Sequence, residues 1–209
     1  NLKIQTRDWE SAKKIFLHLI EIQPGSSLAH ERSGVIFDAL GYPEEAIAAF
    51  NKALELDPLN MTALNHLVSS YMKTKSKKSA LQALDTHSSH PGMTEKEKGF
   101  IAFSEGKVDL AKKLFNDSIS TFRQTTPSYE ALAAIASREG NLLRAITYYE
   151  QILSYDPTFF PARISLSRIF YKQGNIPKAR EALENILSLQ DNYAPAANDL
   201  AYLLAEEGK

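Results

Sequence analysis

The side chains that can do chemistry are few and stand apart. His87 and His90 are three residues apart, a spacing able to ligate a metal, but they sit among Ser88, Ser89 and Pro91 with no third His or carboxylate at motif spacing. They read as an exposed loop. His30-Glu31 opens like the zinc-protease pattern, yet Gly34 stands where its second His is required. The glycines form no phosphate-cradling loop, and no Gly-x-Ser-x-Gly nucleophile elbow occurs. The carboxylate pairs Glu44-Glu45 and Glu206-Glu207 are neighbours on solvated helix faces, without a shared pocket to perturb them. Lys73, Lys75, Lys77 and Lys78 make the one dense basic cluster, and without interleaved aromatic residues it reads as a solvated turn. No catalytic residue, metal site or cofactor is predicted, and the chain reads as non-enzymatic.

Composition narrows the classes further. The 209 residues include no cysteine, which removes disulfide frameworks, thiolate nucleophiles and Cys-ligated zinc or iron–sulfur sites. Lys and Arg number 24 against 25 Asp and Glu, so the basic footprint of a nucleic-acid binder is missing and no such partner is expected. The longest apolar stretch, Ile15 to Ile22, is broken by His18 and Glu21 and falls short of the roughly 20 residues that span a bilayer. No membrane span is predicted. Asn1 to Ile20 lacks the layout of a signal peptide and does not begin with Met, so the chain is expected to be a fragment or a trimmed product.

A clock runs through the whole sequence. Ala12, Ala46, Ala80, Ala111, Ala145 and Ala179 are spaced by 34, 34, 31, 34 and 34 residues. Four residues after each comes Phe16, Phe50, Leu84, Phe115, Tyr149 or Leu183, and three further on Leu19, Ala53, His87, Ser118, Ile152 or Ile186. Gly41, Gly106, Gly140 and Gly174 precede four of these alanines by five residues, and Gly208 keeps the phase; Arg7 and Lys75 replace the glycine in the other two. Pro127, Pro161 and Pro195 recur 34 apart. Apolar residues at three and four spacing, such as Leu64, Leu67, Val68 and Tyr71, mark amphipathic helices, two in each unit. The glycines supply a left-handed stop between them, and the recurring prolines suit first helical turns. Small Gly34, Ala46 and Ala53 let helix axes approach while Phe37 and Phe50 fill the space beside them. Trp9, the sole Trp, is expected to pack on a neighbouring repeat.

These residues resemble the tetratricopeptide repeat family, in a bacterial-type array. Gly34, Phe37, Gly41, Tyr42, Ala46, Phe50, Ala53 and Pro58 occupy the family's slots, and Tyr129, Leu132, Gly140, Ala145, Tyr149 and Pro157 repeat them. The resemblance implies an all-α, right-handed superhelical solenoid of antiparallel helix pairs. About twelve helices are expected: a second helix near 8–22, five pairs, and a final first helix near 194–207. The single array divides into a partial repeat 1–26, repeats 27–60, 61–91, 92–125, 126–159 and 160–193, and a partial repeat 194–209, with residues 1–6 finishing a first helix. The ends lack the polar caps of such arrays, so a piece of a longer array is expected. The short step of 31 must fall near His87 to Glu95, giving a short or distorted helix there, as a neutral loop deletion or a hinge dividing two subarrays, with Thr94 to Glu97 as a capping box for the next helix.

In that family the first helices line a concave groove that binds peptides or partner helices. Carrying this over, the groove is predicted to present Glu130, Ala134 and Arg138, then Ile164, Arg168, Tyr171 and Lys172, then Asn198 and Tyr202. The residues expected to meet a partner are Arg138, Ile164, Arg168, Tyr171, Lys172, Asn198 and Tyr202, whose donors and rings suit an extended peptide. An earlier, more neutral stretch holds Asn65, His66, Ser69 and Met72. The Lys and Asn pair four residues apart with which co-chaperone members grip a chaperone's terminal carboxylate is missing. The expected function is a non-enzymatic scaffold binding a protein or peptide; the alternative is a regulatory or targeting arm of a larger enzyme or envelope and exopolysaccharide component. Self-association through the terminal helices is a third reading. The ending Asn198 to Gly208 is similar to bacterial arrays, which favours a bacterial origin and leaves the location open between the cytoplasm and the periplasm or envelope.

Overall fold

Turn chemistry sets the elements. In the computed structural model, which describes residues 9–87, 91–121 and 126–208, twelve α-helices follow one another and no strand occurs among the described residues. They are α1 (Trp9–Ile22), α2 (Ser27–Leu40), α3 (Pro43–Leu56), α4 (Met61–Lys73), α5 (Lys77–Thr86), α6 (Pro91–Ser104), α7 (Val108–Thr121), α8 (Thr126–Arg138), α9 (Leu142–Tyr155), α10 (Phe160–Lys172), α11 (Ile176–Leu189) and α12 (Ala194–Glu207). The repeat fold expected from the 34-residue period is thus present. The expected helix end within residues 1–6, the side chain of Trp9 and the position of His90 lie outside the described residues.

Helix starts are capped by short polar side chains. Ser26 Oγ accepts from Ala29 N, and the Asn60, Asn141 and Asn175 amide oxygens accept from the backbone N–H three residues on, each satisfying a donor that the first turn leaves unpaired. Helix ends close with a left-handed residue: Gly41, Gly106, Gly140 and Gly174 have φ of 83°, 74°, 77° and 73°. The following N–H then reaches back five residues, as from Tyr42 to Phe37 O at 2.9 Å and from Asn175 to Phe170 O at 2.9 Å. Lys75, the residue that breaks the glycine clock, adopts φ 58° and makes the same closure, Ser76 N to Tyr71 O at 2.8 Å. The chain accepts a strained lysine there because the turn geometry belongs to the repeat, not to the residue. Gly208 departs from its phase-mates, with φ −81° and its N–H donating to Leu204 O.

The chain divides into two compact units, Asn1–Gly106 and Lys107–Lys209. In the first, α2 to α5 pack successively and share one core built on Ala46, Phe50, Ala53, Leu64, Leu67, Ala80 and Leu84. Phe50 is fully buried, and a Cβ on Gly34 would meet its ring at 2.5–2.8 Å, so glycine alone lets α2 and α3 come this close. In the second unit, α8 to α12 pack successively over Ala145, Ile152, Ala162, Ala179, Leu183 and Ile186, all fully buried.

The short period has a definite location. α5 has 10 residues where the other second helices have 14, so the missing turn is removed from its C-terminal end. The following helix does not start at Thr94, as the capping-box reading predicts, but at Pro91. Proline carries the helical φ and lacks only an N–H that would be orphaned anyway. Thr94 is instead buried within the first turns, its hydroxyl donating to Glu95 Oε2 at 3.2 Å.

Candidate partner-binding site

The second unit brings predicted groove residues together on α10 and α12. Pro161 and Pro195 occupy the second position of these helices, so both begin in the same register. Along α10 the three and four spacing aligns Ile164, Arg168 and Tyr171 on one stripe, and along α12 it aligns Asp199, Tyr202 and Glu206. Arg168 Nε donates to Asp199 Oδ2 at 2.8 Å, and its Nη2 reaches Oδ1 at 3.4 Å. The Tyr171 and Tyr202 rings meet edge to face, centroids 5.9 Å apart and planes at 74°. A hydrogen bond to Tyr202 raises the Tyr171 hydroxyl above the usual phenol range, with burial and the Glu206 charge adding to it. Between the helices lies a cavity of about 190 Å³ lined by Ser167, Arg168, Tyr171, Leu183, Asp199, Tyr202 and Leu203. Three of the seven predicted residues, Arg168, Tyr171 and Tyr202, therefore share one site.

The other four are placed differently. Lys172 lies exposed in the last turn of α10, and Asn198 is exposed on α12. Arg138 is exposed in the last turn of α8, where a cation is favoured by the helix dipole. Ile164 is a correction: it is 6 % exposed in the core shared with Ala179, Leu183 and Leu203, not an open groove contact. The apolar positions of α11 and α12 fold over that end of the stripe, leaving only its Arg168–Tyr171 end open. On α8, Ala134 is exposed and the half-buried Glu130 has its carboxyl raised by burial.

Asp199 is not among the residues predicted for the groove. Arg168 is not a free donor awaiting a partner's carboxylate, since both Asp199 oxygens already hold it. The available signal was an acid three residues before Tyr202 on the next first helix, a position facing the same stripe. In the first unit, His66 turns from the predicted neutral face to stack on Phe50, centroids 5.3 Å apart and planes at 12°. The lysine cluster is tied down as a turn: Lys73 Nζ meets Asp38 Oδ2 at 2.5 Å and Lys77 Nζ lies 3.9 Å from Glu105 Oε1. The other chemical candidates keep structural places. His30 Nε2 lies 3.1 Å from Pro24 O, and Glu44 and Glu45 sit in the first turn of α3, where negative charge is favoured. Among the described residues no group of three or more His, Asp or Glu is placed to hold a metal, and no helix is long and apolar enough to cross a membrane.

Two family models described as tetratricopeptide repeat match residues 27–60 and 136–205. These two segments are tetratricopeptide repeats. No curated protein is similar enough in sequence to count as a relative. Among solved structures, Pseudomonas aeruginosa pilF is similar at 20% identity and a TM-score of 0.66, over 96% of this chain and 92% of its own. Yeast Tom70 is similar at 17% identity and a TM-score of 0.79, over 93% of this chain and 42% of its own. YrrB, a tetratricopeptide-repeat protein described as having an unusual peptide-binding site, is similar at 19% identity and a TM-score of 0.54, over 90% and 98%. At these identities the likeness speaks for the fold. Tetratricopeptide repeats are protein–protein interaction scaffolds that bind protein or peptide partners, and their fold is typically non-catalytic.

Proposed function

We propose that this tetratricopeptide-repeat chain is a scaffold that binds an extended segment of a partner protein on the open face of its last first-helices, α10 and α12. The observation that carries the reading is the meeting of Arg168, Tyr171 and Tyr202 around one cavity, with Asn198 and Lys172 exposed on the same two helices. Aromatic rings and a guanidinium around a concave pocket are the residue types that dominate interface energetics. The exposed donors on either side suit the backbone carbonyls of an extended chain. The unusual peptide-binding site described for YrrB supports a peptide as the class of ligand.

The test is affinity capture by the full 209-residue chain, comparing the unaltered protein with the double variant Arg168→Ala, Tyr171→Ala. Both side chains lie at the open end of the stripe, so the helical circular-dichroism signal is expected to persist while capture of specific partners falls. Capture unchanged by the double variant would remove this face as the binding surface.

A further inference from the structure

The proposed partner surface has a definite chemical preference, and the following inference rests on that reading. We infer that the cavity between α10 and α12 accepts one uncharged apolar side chain of the bound segment, an aromatic ring or a branched aliphatic group, and discriminates against a carboxylate.

Size restricts the occupant to one side chain. The cavity measures about 190 Å³. An apolar cavity of about 150 Å³ holds benzene, whereas drug-sized ligands occupy roughly 300–1,000 Å³. A ring with its methylene, or a leucine side chain, matches the space. The floor is apolar, formed by the buried Leu183 and Leu203. Tyr171 and Tyr202, already edge to face, offer an entering ring the offset or T-shaped contacts that aromatic pairs prefer.

The polar groups of the wall are already engaged with one another. Ser167 Oγ donates to Ala179 O at 2.8 Å. Arg168 holds both oxygens of Asp199, and the Tyr171 and Tyr202 rings pack edge to face. An apolar group therefore enters without orphaning any of them. A carboxylate would shed its water beside the Asp199 charge, against the single guanidinium that Asp199 neutralises. Lys172 does not line the cavity and lies at the end of α10. The Arg168–Asp199 pair thus converts a site that looks like an anion receptor in the sequence into a receptor for a neutral anchor.

The test uses the full chain and three small probes: N-acetyl-phenylalanine amide, N-acetyl-phenylalanine with its free carboxylate, and N-acetyl-alanine amide. The tyrosine ring signals are followed by nuclear magnetic resonance and assigned with Tyr171→Phe and Tyr202→Phe. The phenylalanine amide is expected to shift the Tyr171 and Tyr202 signals and to bind about two- to fivefold more tightly than the carboxylate, the range of one exposed charge pair. The alanine amide should shift neither signal. Asp199→Asn, which releases Arg168 without changing the shape of the wall, should abolish that preference. Equal or tighter binding of the carboxylate to the unaltered chain overturns the inference, as do tyrosine signals that no probe moves, or a preference that survives Asp199→Asn. Because no partner protein takes part, these outcomes are independent of the capture experiment: probes that bind as described while capture ignores Arg168 and Tyr171 would fault the partner reading alone.

Discussion

Two pairs of residues, each 33 positions apart, join consecutive repeats in opposite ways. In the first unit Asn60 Nδ2 donates to Ser27 Oγ at 3.1 Å and to Glu31 Oε2 at 3.0 Å, while Ser27 Oγ donates to Ala53 O at 2.9 Å. The Asn60 amide oxygen also caps α4 through Ala63 N. In the second unit the same two slots hold Phe160 and Tyr193, whose rings meet edge to face at 5.1 Å and 66°, and α12 begins without a side-chain cap. One joint is directional and encloses a carboxylate, Glu31 being 4 % exposed. The other is apolar and depends on contact area. A hydrogen-bonded joint fails sharply when one member is lost, because its partners are left buried and unsatisfied. A ring joint loses stability in proportion to the surface removed. Equivalent repeat slots therefore share a geometry without sharing an energy.

The largest expected effect tests that contrast. Asn60→Ala removes a helix cap, worth about 1 kcal/mol, and a donor to a buried carboxylate, worth about 1.5–3 kcal/mol, so a loss of about 3 kcal/mol is expected. Tyr193→Ala should cost about 2 kcal/mol from ring contact and partial burial. Denaturant melts followed by circular dichroism measure both losses. A greater loss from Tyr193→Ala would invert the comparison. The next contrast lies in the slot held by Gly34 in one unit and Ser167 in the other. Gly34→Ala drives a Cβ into the Phe50 ring and should cost about 1–3 kcal/mol, whereas Ser167→Ala, which deletes the bond to Ala179 O, should cost about 1 kcal/mol. The same melts check both.

Lys75→Gly should act in the other direction. A left-handed non-glycine residue carries about 1–2 kcal/mol of strain, and glycine returns roughly 0.5–1 kcal/mol of that as chain entropy. A net gain of about 0.5 kcal/mol is expected, visible as a higher midpoint, and a lower midpoint would show that Lys75 makes a compensating contact. The smallest effect is alkaline. Burial, then the charge and hydrogen bond of Tyr155, raises the Tyr129 hydroxyl, and the bond to Tyr202 raises that of Tyr171. A phenol held protonated in the native state contributes stability that is fully present below its ordinary range near 10 and is lost as pH rises through the raised value. Ultraviolet titration should find these two groups ionising late, and Tyr202→Phe should restore Tyr171 toward the ordinary range.

The repeat architecture was legible because it depends on residue type at fixed offsets. An alanine where two helices touch, a bulky residue four positions on, and a glycine where the chain must turn left-handed are local requirements, repeated every 34 residues. The fully buried Ala46, Ala80, Ala111, Ala145 and Ala179 meet them. Even Lys75 was marked as the exception, although its left-handed conformation was not. Part of the proposed site is legible by the same reasoning: the repeat register brings Arg168, Tyr171 and Tyr202 to one cavity.

What the residues alone did not decide were the pairings. Whether Arg168 is an open donor or a neutralised one depends on Asp199, 31 positions away, and whether Ile164 faces a partner or the core depends on how far α11 and α12 cover α10. A period in sequence specifies which faces of neighbouring helices meet. Side-chain reach and solvent exclusion across that meeting are properties of two helices at once, and they turned a row of apparent donors into a pocket with its charges already paired.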